Sequence, residues 1–454
     1  MIGASTEVDS PGIDFLIPNL DSSMLDETFD WLKHSKKGLR GSTTSSFASG
    51  INSAAIAACL DPEVLMGGVL QDFNAILHVS GNETMLLPPE GSLDVLSSLS
   101  DTNCLDDLTA RLDRIKILLY EERSISFEFH HDWTPSIARG VVNQFMGSFS
   151  SLVAETVLDE YEDTNPVPHN ALLPRMINNL TLLPFEARKS MSAIFNYLLV
   201  CGLDGPDARL FSGVSSIFAE YVLRCADAIV GQLARAHDCD ISTAMGRDGG
   251  GGVGGGSYVD VTLLCGSMLR SSLRHAAIYD WILSAGNCER LVYPFLERYV
   301  HNPNFDVSSD ALETVRVMFT GNAAANAIPC IEGDALVAEY HRQIMESIAS
   351  DFLNRDYANV VDNCINKKCL SPNANYMTRR MTLQLLSSIL LNRANYNVMM
   401  MYISSSRNLV TILCLLRDQS PHITLDAFQV FKIFVANPNK VSDYLKNEQN
   451  KKSH

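Results

Sequence analysis

From Leu105 onward apolar residues recur at three- and four-residue steps. Leu105, Leu108, Leu112, Ile115 and Leu119 place one apolar face on a helix. The same period returns down the chain with very few strand-like alternations. It predicts helices near 62–79, 136–161, 170–181, 185–200, 209–236, 258–272, 276–283, 288–300 and 307–319. More follow near 334–352, 375–392, 395–403, 406–417, 422–436 and 440–451. Gly, Asn and Pro punctuate the pattern, as at Pro184, Pro206, Pro303 and Pro438. Many short helices joined by turns give an all-α fold.

Three of the predicted helix starts resemble one another: Asp306–Leu312, Tyr376–Thr382 and His422–Phe428. Each places an apolar residue before Ser308, Thr378 or Thr424, which suits a hydrophobic staple followed by an N-cap hydroxyl. Thr378 and Thr424 are 46 residues apart, within the roughly 40–47 of armadillo and HEAT units. The 70 residues from Ser308 to Thr378 fit one unit with an insertion near 321–333 or 364–374. The expected architecture is an armadillo/HEAT-like helical-repeat solenoid, a curved horseshoe whose concave face binds a long partner. This domain is expected over 101–451, with a glycine-rich loop at 246–257. Residues 1–50, rich in Ser, Gly, Asp and Thr around an island of Phe29, Trp31 and Leu32, read as a disordered extension. Residues 51–100 read as poorly defined and partly helical.

Composition narrows the class. With 454 residues, 46% of them hydrophobic, the chain can bury a large core without disulfides or metals. Thirty-five Lys and Arg against 52 Asp and Glu give −17, which argues against nucleic-acid or anionic-membrane binding. That charge is uneven. Residues 375–454 carry +6 and the remainder −23, so the C-terminal end is suited to meet something acidic. No apolar run approaches the roughly 20 residues of a membrane span, and no charged-then-apolar leader follows Met1. The 11 Cys lack framework spacing and read as buried, reduced thiols. A cytoplasmic location follows as the expectation.

Candidate chemistry is sparse. Gly249–Gly256 formally satisfies G-x-G-x-x-G, but no strand precedes it and no GK[ST] follows, so it reads as a flexible loop. Cys364 and Cys369 flank four residues with no second pair nearby, short of a zinc site's usual set of ligands. His130-His131-Asp132 stands without a partner nucleophile and reads as a polar turn before Trp133. The chain shows no H-E-x-x-H, no G-x-S-x-G, no kinase catalytic loop and no EF-hand loop. Neither catalysis nor a cofactor is indicated.

The informative stretch is 375–440. Leu383, Leu386 and Leu390, then Leu409, Ile412, Leu413 and Leu416, then Phe428, Phe431, Phe434 and Val435 form apolar stripes. Most of these read as core. The Phe428–Val435 helix is apolar on more than one face, so one or two of its residues are expected to line a groove. Arg379 and Arg380 fall in a first helical turn, where cations oppose the helix dipole, and this placement points to an anionic partner outside the chain.

The residues Asn375-Tyr376-Met377-Thr378-Arg379-Arg380, Leu415-Leu416-Arg417-Asp418 and Asp426 through Lys440 resemble the calcium-binding protein 39, or Mo-twenty-five-like, scaffold family. Cys265-Gly266-Ser267-Met268-Leu269-Arg270 and Phe305–Ala311 resemble it too, and weaker likeness reaches back to Ile117–Tyr120. The resemblance covers roughly 105–446. It implies a horseshoe of armadillo-like repeats without enzymatic activity, and no calcium is expected despite the family's name. It implies a scaffold that holds STE20-type kinases or a related pseudokinase in an active shape, at times in a ternary complex with an upstream kinase of the liver kinase B type. Fungal and protist members serve polarity and morphogenesis. By motif position Arg380 matches a concave-face arginine, with Arg379 beside it. Leu413 matches an apolar wall of a pocket for a Trp-x-Phe tail, and Lys446 a pocket lysine; Arg417 and Phe431 complete the expected protein-binding set. The family pattern continues for more than one helix past Asn-Pro-Asn-Lys, whereas 14 residues follow Lys440 here. One wall of the tail pocket is thus unaccounted for. The unbound chain is expected to be a monomer. Two readings compete with this one: a general armadillo-type adaptor without kinase activation, and a helical metal-dependent enzyme centred on 130–132 or 364–369.

Overall fold

A computed structural model describes residues 62–79, 104–126, 136–146, 172–200, 208–238, 258–321 and 335–436. The chain divides into two units, Met1–Ala58 and Cys59–His454, and every described residue lies in the second. The expected extension at 1–50, the glycine-rich loop, His130 and His131, the end of the 136–161 helix, the 440–451 helix and Lys446 lie outside the described residues.

Every regular element among the described residues is helical. The first row of helices comprises α1 (Pro62–Val79), α2 (Cys104–Ser126), α5 (Phe185–Val200), α8 (Tyr258–Ser272), α12 (Phe305–Thr320), α14 (Tyr376–Leu391) and α17 (Pro421–Ala436). Each packs on the next, so these seven form a ladder. A second row runs through α3 (Ser136–Met146), α6 (Ala208–Arg224), α9 (Ala276–Leu283), α13 (Ala335–Arg355) and α15 (Tyr396–Ser404), again with each on the next. Shorter pieces complete the units: α4 (Leu172–Asn178), α7 (Val230–Arg235), α10 (Ala285–Leu291), α11 (Tyr293–Glu297), a π-helix (Ala358–Cys369) and α16 (Ser406–Leu415). Rows of helices that touch sequence neighbours are what a stacked repeat requires. One apolar core runs unbroken from Leu65 to Phe434. Its larger members, such as Phe145, Phe218, Phe295 and Phe319, each stabilise the stack by roughly 1.5–3 kcal/mol.

The three similar helix starts have a different chemistry from the one expected. Asn304 caps α12, its side chain accepting from the N–H groups of Asp306 and Val307, and Asn375 caps α14 by accepting from the N–H of Thr378. Ser308, Thr378 and Thr424 lie inside the first turn. Ser308 Oγ donates to the Phe305 carbonyl, Thr378 Oγ1 to the Val300 carbonyl at 2.7 Å, and Thr424 Oγ1 to the Asp418 carbonyl. Ser308 and Thr378 are buried; the Ser308 hydroxyl stays within its own first turn, and that of Thr378 ties α14 to the chain at Val300. Asparagine carries the cap because its carbonyl reaches the free amides from outside the helix.

The predicted helix 288–300 is three pieces, α10, α11 and a 3-10 turn at Tyr299–His301. Pro294 stands second in α11 and cannot continue the α10 ladder, having no N–H to give. The π-helix falls partly in a stretch read as an insertion. A buried network ties it to the last unit: Asn366 Nδ2 donates to Asn408 Oδ1 at 3.0 Å, Tyr402 hydroxyl donates to Asn366 Oδ1, and Asn408 Nδ2 donates to the Tyr357 hydroxyl.

Candidate protein-binding surface

The residues singled out in the sequence meet where α14, α16 and α17 pack together. α14 lies against α17, and α17 against α16. Arg379 and Arg380, in the first turn of α14, do not face solvent unpaired. Arg379 Nη1 binds Asp418 Oδ2, and Arg380 Nε lies 3.3 Å from Asp426 Oδ2 on α17. Gln384 Nε2 donates to the same Asp426 oxygen at 3.2 Å. The expectation that these cations lack an internal partner is therefore corrected: the neighbouring repeat supplies a carboxylate for each. Asp418 also accepts from the Ser420 N–H in the turn before α17, so it fixes both that turn and Arg379.

Beside these pairs lies an apolar face. Leu413 is 41% exposed while its neighbour Ile412 is fully buried. Val410 on α16 and Leu425, Phe428 and Val435 on α17 are likewise exposed. Positions 425, 428 and 435 fall at helical spacing, so one stripe of α17 is apolar and uncovered. Phe431 is half-buried and packs on the core. Arg417 and Lys432 are exposed, and Lys432 Nζ sits 5.8 Å from the centre of the Phe428 ring. The surface combines apolar side chains with cations. That composition suits a polypeptide carrying an aromatic or aliphatic anchor and acidic neighbours.

A second polar cluster joins the turn after α7 to α8 and α12, which sequence reasoning did not assemble. Asp310 accepts from Arg270 Nη2 at 2.7 Å and pairs with His237 Nε2 at 3.0 Å. Arg270 Nη1 also donates to Thr314 Oγ1 at 2.8 Å. Burial pushes the Asp310 carboxyl up, but the hydrogen bonds and charges of His237 and Arg270 outweigh it and hold the group below its ordinary range. His237 packs against the rings of Phe295 and Tyr299. The motifs around Gly266–Arg270 and Phe305–Ala311, separate in the sequence, meet in this cluster.

The thiols at 364–369 sit in apolar surroundings. Burial raises Cys364 to about 11 and Cys369 to about 12, which keeps both protonated near neutral pH. A protonated thiol is neither a nucleophile nor a good metal ligand. Among the described residues no group of three or more His, Cys, Asp or Glu side chains could hold a metal ion. Among them, too, no single helix is long and apolar enough to cross a membrane, although one pair, Arg393–Ser404 with Ser406–Leu415, passes that test on length and composition while bent by 85°.

Comparison with known proteins supports the motif reading. The profile described as Mo25-like matches residues 161–329 and 339–451, more than half the chain. A putative MO25-like protein of Arabidopsis thaliana is 33% identical over 192 residues, covering 42% of this chain and 47% of the relative. A calcium-binding protein 39-like protein of Homo sapiens is 29% identical over 271 residues, 60% of this chain and 63% of the relative. The conidiophore development protein hymA of Emericella nidulans is 28% identical over 293 residues, again 60% and 63%. The chain thus spans between about half and two thirds of the length of these relatives.

Proposed function

Because the chain belongs to the Mo25-like family, we propose that it is a non-catalytic cytoplasmic scaffold that binds a STE20-type protein kinase or related pseudokinase. The observation that carries this reading is the uncovered face of α16 and α17, with Leu413 and Phe428 exposed beside Arg417 and Lys432. Apolar anchors rimmed by cations favour an acidic polypeptide with a hydrophobic anchor, such as a kinase lobe or a Trp-x-Phe tail. Activation then follows from differential affinity. A scaffold that fits only the active arrangement of a kinase shifts its population toward that arrangement without any chemistry of its own. Service in a polarity or morphogenesis pathway, with a ternary complex that includes an upstream kinase, fits a relative named for conidiophore development.

Arg380 enters this reading in a specific way. Its guanidinium is held by Asp426, so a partner carboxylate has to compete with a pair already made. Recruitment of Arg380 is an exchange, and its net gain is smaller than that of a free cation. Titration calorimetry of the chain against a STE20-type kinase domain and against a Trp-x-Phe peptide tests the proposal. Saturable binding of the kinase domain that Leu413→Ala or Arg380→Ala weakens supports it, and absence of binding to either ligand refutes it. Binding without any rise in kinase activity would leave the adaptor reading in its place.

A further inference from the structure

Arg316 on α12 and Glu346 on α13 line one cavity but form no ion pair with each other. The cavity measures about 210 Å³ and lies where α12, α13 and the end of α14 meet. Each charge is held back by its own helix. Arg316 Nε and Nη2 grip Glu313, three residues earlier, and Glu346 Oε1 takes Arg342 Nη1, four residues earlier. This leaves Arg316 Nη1 and Glu346 Oε2 with hydrogen-bonding capacity, one cationic and one anionic.

The rest of the lining has the same balance. Asn392 Oδ1 accepts from the Ala394 N–H, which leaves its Nδ2 group to donate. Asn395 is almost wholly buried. Its Nδ2 donates to the Ile389 carbonyl at 3.1 Å, which fixes the amide orientation, and its Oδ1 has no partner. Its orientation is thus set by the end of α14 and not by the recess. Thr320 and Ser388 also line the cavity, and the Ser388 hydroxyl donates to the Gln384 carbonyl of its own helix, which leaves its oxygen able to accept.

Both charges are compensated on their own helices, so what each wall offers is one remaining charge-assisted hydrogen bond, a donor from Arg316 and an acceptor from Glu346. A monovalent ion can use one of them, whereas a molecule with both a carboxylate and an ammonium can use both. The volume corresponds to roughly seven waters at their liquid share, enough for a molecule the size of glutamine. We propose that this cavity binds a small zwitterion of the α-amino-acid class. The carboxylate accepts from Arg316 Nη1 and Asn392 Nδ2, and the ammonium donates to Glu346 Oε2. The cavity involves neither Arg380 nor Leu413, so the proposal stands apart from the docking surface.

Saturation-transfer NMR on the full chain tests it, with L-glutamine as the probe and N-acetyl-L-glutamine and L-glutaminamide as the blocked analogues. The expected result is saturable glutamine binding, weakened at least about tenfold when either charged end is blocked, because the facing charge is then left without its partner. Glu346→Gln and Arg316→Gln should each weaken glutamine by a similar factor. Ser388→Phe fills the recess from an exposed position and should abolish binding while leaving thermal unfolding unchanged, which guards against misfolding of the charge variants. Absence of a saturable glutamine signal, equal binding of the blocked analogues, or unchanged binding in Ser388→Phe would each overturn the proposal.

Discussion

Gly266 on α8 and the carboxylate of Asp310 on α12 are in a contact that no side chain at 266 permits. A Cβ there would lie 1.9 Å from Asp310 Oδ2. The carboxylate cannot easily withdraw, because Arg270 on α8 and His237 in the turn after α7 hold it. Gly266→Ala should therefore destabilise the protein by about 1–3 kcal/mol, although alanine is intrinsically the better helix former. Urea unfolding checks this. Asp310→Ala should cost less in the Gly266→Ala background than in the parent, since the clash is then already relieved.

Stability should fall on mild acidification through buried histidines. Burial lowers the pKa of His275 foremost, with Arg274 and His341 adding to it against the Leu199 carbonyl, which accepts from its ring at 2.9 Å. Burial lowers His341 as well. A group whose folded pKa lies below the unfolded value of about 6.5 binds its proton first in the unfolded chain. The stability it supports is complete above that value and is lost as pH falls toward the folded pKa. Asp310, also depressed, keeps its contribution until pH falls below the unfolded carboxylate value of about 3.9. Unfolding free energies should thus decline from pH 7 to 5, and His275→Gln should flatten that decline.

The π-helix depends on its amide network. Asn366→Leu would leave Asn408 Oδ1 without its donor and remove the acceptor of the Tyr402 hydroxyl, both buried. A loss of about 1–3 kcal/mol per unsatisfied group is expected. Hydrogen exchange should show the loss concentrated in the π-helix and α15.

Leu413 and Ile412 are adjacent and should behave oppositely. Ile412→Ala removes a fully buried side chain and should cost about 2–5 kcal/mol of folding stability. Leu413→Ala, at an exposed site, should stay within about 0.5 kcal/mol and instead weaken a Trp-x-Phe peptide. Parallel thermal unfolding and peptide titration separate the two.

Much of this was legible because helical periodicity survives in the sequence. Helices at 62–79, 185–200, 258–272 and 276–283 have the expected bounds, since each carries a stripe that one core absorbs. The break at Pro294 was legible in principle from its missing N–H but was overridden by the apolar run around it. The π-helix was not legible: Val360, Val361, Cys364, Ile365 and Cys369 are all buried, but their one-, three- and four-residue steps are those of any helix, and nothing in them marks the wider turn. Site residues were found by motif, yet their partners were not. Nothing local in Arg380 announces Asp426, which lies 46 residues onward, at the repeat distance that the period itself had indicated. Arg270 and Asp310 were quoted in separate motifs and meet only once α8 packs on α12.

The docking claim is tested most directly by the affinity of a STE20-type kinase domain for a pair of variants that share one contact. Arg380→Ala removes the cation, whereas Asp426→Asn removes the carboxylate charge that pairs with it and weakens that internal hold. Both should change folding stability by about 1 kcal/mol or less, as the pair is partly exposed. The account predicts opposite signs in calorimetric titration: Arg380→Ala weakens the complex about tenfold or more, and Asp426→Asn strengthens it. Affinities for the kinase domain that are unchanged in both variants would contradict it.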